Sequence, residues 1–169
     1  MNKVLKGKVW AFGDNINTDL MYPHACYTLP EEERPLHTMW ANRPGWAQQV
    51  NSGDILVAGK NFGVGSSRPA ASNLKGLGIS VVVAESVNGL FLRNSVNVGL
   101  PVVSCQGVSG IVREGDTVTV NLETGTLIDE TSGKTAEFRP LPGFLMDIIE
   151  AGGIIEVLRK NGYIDSNPL

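Results

Sequence analysis

Residues 54–103 constrain the fold more tightly than any other part of the chain. Asp54-Ile55-Leu56-Val57-Ala58-Gly59-Lys60 is a short apolar run without polar alternation, which predicts a strand buried on both faces. A glycine–serine loop follows over residues 61–67. Pro69 then suits the first turn of a helix reaching about Leu77, with Gly78 as its stop. Residues 79–84 are rich in β-branched side chains and predict a second buried strand. Ser86 is positioned to cap a second helix through Arg93 that carries Leu90, Phe91 and Leu92, and residues 100–103 resume a strand. Strand, helix, strand, helix, strand is the text of a parallel α/β unit with right-handed crossovers.

The flanks follow other rules. Residues 6–12 alternate and carry Val9 and Trp10, predicting a first strand that ends at Gly13-Asp14. Residues 15–51 are irregular, with Pro23, Pro30, Pro35 and Pro44-Gly45 and the acidic run Glu31-Glu32-Glu33. They read as a long loop with one or two short helices, a feature that is uncommon in compact domains and often functional. Short alternating runs at 116–122, 125–129 and 135–141, separated by glycine turns, predict antiparallel strands. Pro142-Gly143 opens a closing helix through Glu150, and residues 154–160 add a further helical turn or two. The expected fold is a single compact α/β domain over residues 1–169. Its mixed sheet has a central parallel βαβα unit and an antiparallel C-terminal portion.

Composition narrows the function. With 42% hydrophobic residues and a formal charge of −3, the chain is neither disordered nor built to hold nucleic acid or an anionic membrane surface. Glycine is abundant, 20 of 169 residues, so turns and close backbone approaches are many. Two cysteines, Cys26 and Cys105, and two histidines, His24 and His37, are too few for a disulfide scaffold, a four-cysteine zinc site or an iron–sulfur cluster. Both cysteines are expected to be small packed side chains. The histidines fall in the loop region, and Trp40 and Trp46 are expected to pack that loop onto the domain or a partner. Lysines interrupt the N-terminal residues, and no run reaches about 18 apolar residues, so neither a signal peptide nor a membrane span is expected. A cytoplasmic protein is the expectation.

Chemistry concentrates in Asn61-Phe62-Gly63-Val64-Gly65-Ser66-Ser67-Arg68-Pro69. A glycine-rich loop entering a helix lets backbone N–H groups converge on an anion. Two hydroxyls and a guanidinium add directed bonds for a carboxylate or phosphate. The plainer alternative is a tight turn with Ser67 as helix cap. No Lys-Ser or Lys-Thr follows the glycines, which excludes a Walker loop. Gly63 and Gly65 match the start of a dinucleotide loop, but Arg68 stands where its third glycine belongs. Glu85 lies about 20 residues on, where a ribose-binding acid would sit, so a nucleotide-binding module remains a competing reading. Two further segments are notable. Gly13-Asp14-Asn15-Ile16-Asn17-Thr18-Asp19 is an Asx-rich turn. Phe91 to Pro101 is a polar helix exit in which Asn94 and Asn97 are expected to bond loop backbone.

Together, in this order, these segments and Gly78-Ile79 resemble the small subunit of 3-isopropylmalate dehydratase and homoaconitase, the swivelling domain of the aconitase superfamily. The resemblance spans most of the chain. It implies a hydro-lyase of amino-acid (leucine) biosynthesis, acting on a small hydroxy dicarboxylic acid. It also implies a 4Fe-4S cluster carried by a separate large subunit, without which this chain is inactive. Ser66 matches the catalytic base, Arg68 the group that grips a substrate carboxylate, and Ser67 a substrate-binding position. Asp19 matches an acid at the site's edge that supports catalysis by pairing with the large subunit. Gly65 and Tyr27, from the loop over residues 22–29 that lies above the active site, complete the implied substrate contacts.

The implied reaction removes water from a hydroxy acid and returns it across the double bond. A serine base must have its oxyanion stabilised by local N–H dipoles and the charge of Arg68. The departing hydroxyl needs a Lewis acid, the role of the partner's cluster. Two departures from the family pattern stand out, the first at the contacts that surround the base and the second at the specificity loop. Pro69 stands where many relatives have Glu, and Cys26-Tyr27-Thr28 stands where isopropylmalate enzymes commonly have Arg-Tyr-Leu. Loss of that arginine is expected to open an apolar surface at Cys26, which points to a variable group that is neither isopropyl nor the usual homoaconitate chain but another small alkyl group, as in dimethylmalate. Beside it stand the 3-isopropylmalate-type substrate that the resemblance implies and a homoaconitase reading. A stand-alone interaction protein without catalysis is a third reading, and self-association of the isolated chain stays open.

Overall fold

The computed structural model describes residues 3–65 and 68–164. Its parallel strands are β1 (Val4–Ala11), β2 (Ile55–Ala58), β3 (Val81–Ala84) and β4 (Val102–Ser104), followed by antiparallel β5 (Thr117–Asn121), β6 (Thr126–Asp129) and β7 (Thr135–Glu137). Among the described residues they form one seven-stranded sheet in the order β4-β3-β2-β1-β5-β6-β7. β1 is the seam, parallel to β2 on one edge and antiparallel to β5 on the other. The expected mixed sheet is therefore present, with the parallel half extended to include β1.

Side-chain alternation builds two cores from the same strands. Val9, Ile55, Val57, Val81 and Val83 face one layer, and Trp10, Leu56, Ala58, Val82 and Ala84 face the other. Every residue of β2 and β3 is buried, which explains their unbroken apolar text. Each enclosed Val or Leu contributes about 1.5–3 kcal/mol. β5 instead buries Val118 and Val120 and leaves the alternate Thr117, Thr119 and Asn121 half exposed, so its sequence alternates.

The helices are α1 (Thr18–Met21), α2 (Ala70–Gly76), α3 (Gly89–Val98), α4 (Gly143–Glu150) and α5 (Ile154–Lys160). Two expectations about α3 need correction. Asn88, not Ser86, is its cap, accepting the Leu90 N–H at 2.9 Å. The helix also runs past Arg93 to Val98, so Asn94 and Asn97 are helical residues rather than parts of an exit loop. Residues 94–97 are modest helix formers, but Ser95 and Val96 are buried, and that packing prevails over propensity. Residues 15–51 are less bare than expected. They hold α1 and short 3-10 turns at His24–Cys26, Glu31–His37 and Ala47–Gln49. Met39 N–H donates to the Met21 carbonyl at 2.7 Å, and Trp46 is buried edge-on against Trp10 and Phe12. Trp46 thus fastens the segment as expected. Trp40 does not pack onto this domain, standing half exposed and stacked on His37.

Candidate active site

The carboxyl ends of β1, β2 and β3 meet at one edge of the sheet, where ligands of open α/β folds usually bind. Their loops are laced together by backbone bonds. Gly63 N–H donates to the Ile16 carbonyl at 2.7 Å, and Thr18 N–H to the Val64 carbonyl at 2.8 Å. Phe62 N–H donates to the Ser86 carbonyl at 3.0 Å, and Asn88 N–H to the Phe62 carbonyl at 2.8 Å. Asp14 accepts the Lys60 N–H, and Asn61 reaches across to the Asn15 side chain at 2.9 Å. The early polar residues of the 13–19 turn are thus structural. Ser86, displaced from its expected capping role, accepts the Asn61 N–H.

The glycines of the loop are dictated by contact as well as conformation. Gly63 (φ +79) and Gly65 (φ +91) have left-handed backbones that L side chains resist. A Cβ at Gly63 would lie 2.3 Å from Phe91, and one at Gly65 would lie 2.6 Å from Thr18 Oγ1. That Thr18 hydroxyl is buried and unpartnered among the described residues, directly beside Gly65. Ser66 and Ser67 lie outside the described residues.

Beyond them, Arg68 comes back to the 13–19 turn. Asn17 caps α1 by accepting the Leu20 N–H at 2.8 Å, which turns Asp19 toward the loop. Arg68 Nε donates to Asp19 Oδ1 at 2.7 Å. The Arg68 side chain is 17% exposed and that of Asp19 is 63% exposed. The ring of Tyr27 lies 4.8 Å from the guanidinium carbon. Hydrogen bonding to Asp19 and then to Tyr27 raises the Arg68 pKa above its ordinary value. The fold therefore gathers Asp19, Tyr27, Gly65 and Arg68 from three separated stretches of sequence. Helix α2 has only seven residues, so the positive field here owes more to Arg68 than to a helix dipole.

Two expected features are redirected. Cys26 is buried, so its side chain does not form an apolar surface over the site; His24, Ala25, Tyr27 and Thr28 are the exposed residues of that loop. Burial pushes the thiol pKa up. Glu85 is not free for a ribose, because its carboxylate accepts the Gly107 N–H at 2.6 Å, the Ser109 N–H at 2.9 Å and the Ser109 hydroxyl at 2.5 Å. The nucleotide reading loses its acid. Sequence reasoning missed Tyr22, which is fully buried and donates its hydroxyl to the Cys26 carbonyl at 2.5 Å. No motif marks it, and only its aromatic character beside Pro23 hints at a packing role.

The donor set for a metal centre is poor. Cys26 and Cys105 are both buried free thiols, Cys105 with its pKa raised by burial to about 11. Among the described residues no group of three or more His, Cys, Asp or Glu side chains could hold a metal ion. These residues do not fit an iron–sulfur cluster. Among the described residues, no helix is long and apolar enough to cross a membrane.

Comparison with known proteins agrees with this architecture. The model of the aconitase C-terminal domain matches residues 11–106, which include all of the site. The isopropylmalate/citramalate isomerase small subunit of Methanocaldococcus jannaschii is 47% identical over 95% of this chain and 96% of its own. The 3-isopropylmalate dehydratase small subunit 1 of Thermotoga maritima is 43% identical over 94% and 97%. A crystal structure described as 3-isopropylmalate dehydratase from Methanocaldococcus jannaschii superposes with a TM-score of 0.87 at 33% identity, covering 96% of this chain and 98% of that one. The chain belongs to the aconitase C-terminal-domain family, among its 3-isopropylmalate dehydratase small subunits.

Proposed function

We propose that this chain is the small subunit of a hydro-lyase that isomerises an alkyl-substituted malate of the 3-isopropylmalate type, a step of leucine biosynthesis in the cytoplasm. The observation that carries the reading is the Asp19–Arg68–Tyr27 constellation beside the glycine loop. Arg68 binds the carboxylate adjacent to the carbon that loses its proton. Asp19 holds its Nε and Tyr27 bonds to it as well, so the guanidinium is fixed in place when its Nη groups meet the carboxylate. Charge that accumulates on that carboxylate as the proton departs is met by a guanidinium already fixed in position. Ser66 takes the proton, Ser67 and the Gly65 backbone amide bind substrate, and Tyr27 bounds the pocket. Gly65, Ser66 and Ser67 stand within three residues of Arg68 in sequence, and Tyr27 comes from a separate turn to lie against its guanidinium.

The hydroxyl-activating cluster belongs to a separate large subunit in this reading, since the residues of this chain do not fit one. The partner is supported by the small-subunit names of the relatives. The whole chain, residues 1–169, acts as the one swivelling domain. The test is reconstitution. The purified chain should be colourless and inactive, and addition of a cluster-loaded large subunit should produce turnover of 3-isopropylmalate. Hydration of an unsaturated dicarboxylate by this chain alone in metal-free buffer would overturn the proposal.

A further inference from the structure

Tyr22 is completely buried although it carries a hydroxyl, and that hydroxyl makes one specific bond, to the Cys26 carbonyl. Its ring meets the Tyr27 ring edge to face, with centroids 5.8 Å apart and planes at 87°. Tyr27 in turn lies against the Arg68 guanidinium, whose Nε is held by Asp19. Tyr22 N–H donates to the Thr18 carbonyl, closing the helix that carries Asp19. One residue therefore touches both supports of Arg68: the helix bearing its carboxylate and the turn bearing its aromatic ring.

We infer that Tyr22 is a positioning residue for the substrate-carboxylate grip, holding Arg68 through Tyr27 by the bond from its hydroxyl to the Cys26 carbonyl. This rests on the reading of Arg68 as the carboxylate-binding group. The chain of contacts gives the inference its direction. Without that bond the 3-10 turn at His24–Cys26 keeps its backbone bonds, from Cys26 N–H to Pro23, Tyr27 N–H to His24 and Leu29 N–H to the Cys26 carbonyl, but loses the side-chain tie from that carbonyl to the buried core. The Tyr27 ring would then swing, and Arg68 would sample orientations in which its Nη edge no longer faces substrate. Burial also keeps the phenol pKa above its ordinary value, so the hydroxyl remains a donor across the working pH range.

Tyr22→Phe removes only the hydroxyl and keeps the buried ring. The first measurement needs no substrate: hydrogen exchange of the Arg68 Nε–H resonance in the free chain, assigned by its loss in Arg68→Lys. The expected result is a protected signal whose exchange accelerates roughly fivefold or more in Tyr22→Phe, the loss of one net hydrogen bond. The second is the assembled enzyme with 3-isopropylmalate, where KM should rise by roughly the same factor with kcat nearly unchanged. In an Arg68→Lys background, Tyr22→Phe should add nothing to KM. Should Tyr22→Phe fail to fold, Tyr27→Leu, which breaks the same chain of contacts at its exposed end, must accelerate the Nε–H exchange in the free chain. An unprotected Nε–H in the parent chain, exchange unmoved by either variant, or KM effects that add fully in the Arg68→Lys background would overturn the inference. An assembled enzyme that ignores 3-isopropylmalate while the exchange result holds would count against the proposed function and leave the role of Tyr22 standing.

Discussion

Arg68 and Asp19, 49 residues apart in sequence, form an ion pair of 2.7 Å at the mouth of the glycine loop, and the pair uses only the Nε edge of the guanidinium. Asp19 therefore aims the arginine as well as pairing its charge. The expected consequences of the two obvious substitutions differ. Arg68→Lys keeps a positive charge but loses the planar fork, so KM should rise by roughly tenfold or more, with a fall in kcat. Asp19→Asn keeps an acceptor oxygen and should cost less, shifting KM mainly. Steady-state kinetics of the assembled enzyme decide; equal mild effects from both would mean that the pair is only a surface contact.

Gly63 should tolerate no side chain. Alanine there must adopt a left-handed backbone and also press its Cβ into Phe91. Together these should destabilise the fold by about 2–4 kcal/mol. Gly45, equally left-handed but with open space around its Cβ, serves as the control. Urea denaturation of Gly63→Ala and Gly45→Ala should give a clearly larger loss for the first. Similar losses would show that contact with Phe91 is irrelevant.

Glu85 predicts an acid limb of stability. Burial alone would raise its pKa, but the bonds from Ser109 and Gly107 outweigh this and hold it below its ordinary value of 4.5. A carboxyl whose folded pKa is depressed contributes fully above its unfolded value, and the contribution is lost as pH falls through the folded value. Stability should therefore decline below about pH 4.5 in part through Glu85. Glu85→Gln should be less stable than the parent at pH 7, with the difference shrinking as the pH is lowered. A difference that stays constant from pH 7 to pH 3 in thermal melts would refute the assignment.

The parallel unit was legible because β2 and β3 are buried on both faces, and burial on both faces writes itself as uninterrupted Val, Ile, Leu and Ala. Helix α5 was expected at the residues where it occurs, 154–160. The cap of α3 was not legible, since Ser86 and Asn88 are both good caps and only the tertiary demand of the Asn61 N–H decides between them. Within the site, Arg68 and Asp19 were visible as motif residues, but their pairing to each other was not. It depends on parallel bridging of Asn17 with Val64, a contact between loops that no local pattern announces. Cys26 is packed, as expected of a small side chain, but the apolar surface expected over the site does not form there. Its position in the loop suggested a role facing substrate, while the rotation of one 3-10 turn sends its side chain inward.

That inward rotation changes what should govern substrate choice. With Cys26 buried, Cys26→Arg would drive a cation into a space closed by Tyr22, so it should destabilise the chain rather than install a new specificity. On the proposed function, the variable group of the malate should instead meet the exposed part of the loop, where the Tyr27 ring lies 5.3 Å from that of His24. The nearby cation, Arg34, directs its Nε to the Leu29 carbonyl at 3.3 Å and so braces the loop from outside. An aromatic boundary favours alkyl groups, and each added methylene is worth only about 1–3 kcal/mol, so selectivity among them should be graded. Methyl, dimethyl, isopropyl and carboxymethyl malates should be compared by kcat/KM in the assembled enzyme. The three alkyl compounds should be used within roughly 200-fold of one another, the carboxymethyl compound should be poorest, and Tyr27→Ala should flatten the alkyl series. A preference for the carboxymethyl compound that survives both His24→Ala and Tyr27→Ala would show that the partner, and not this loop, selects the substrate.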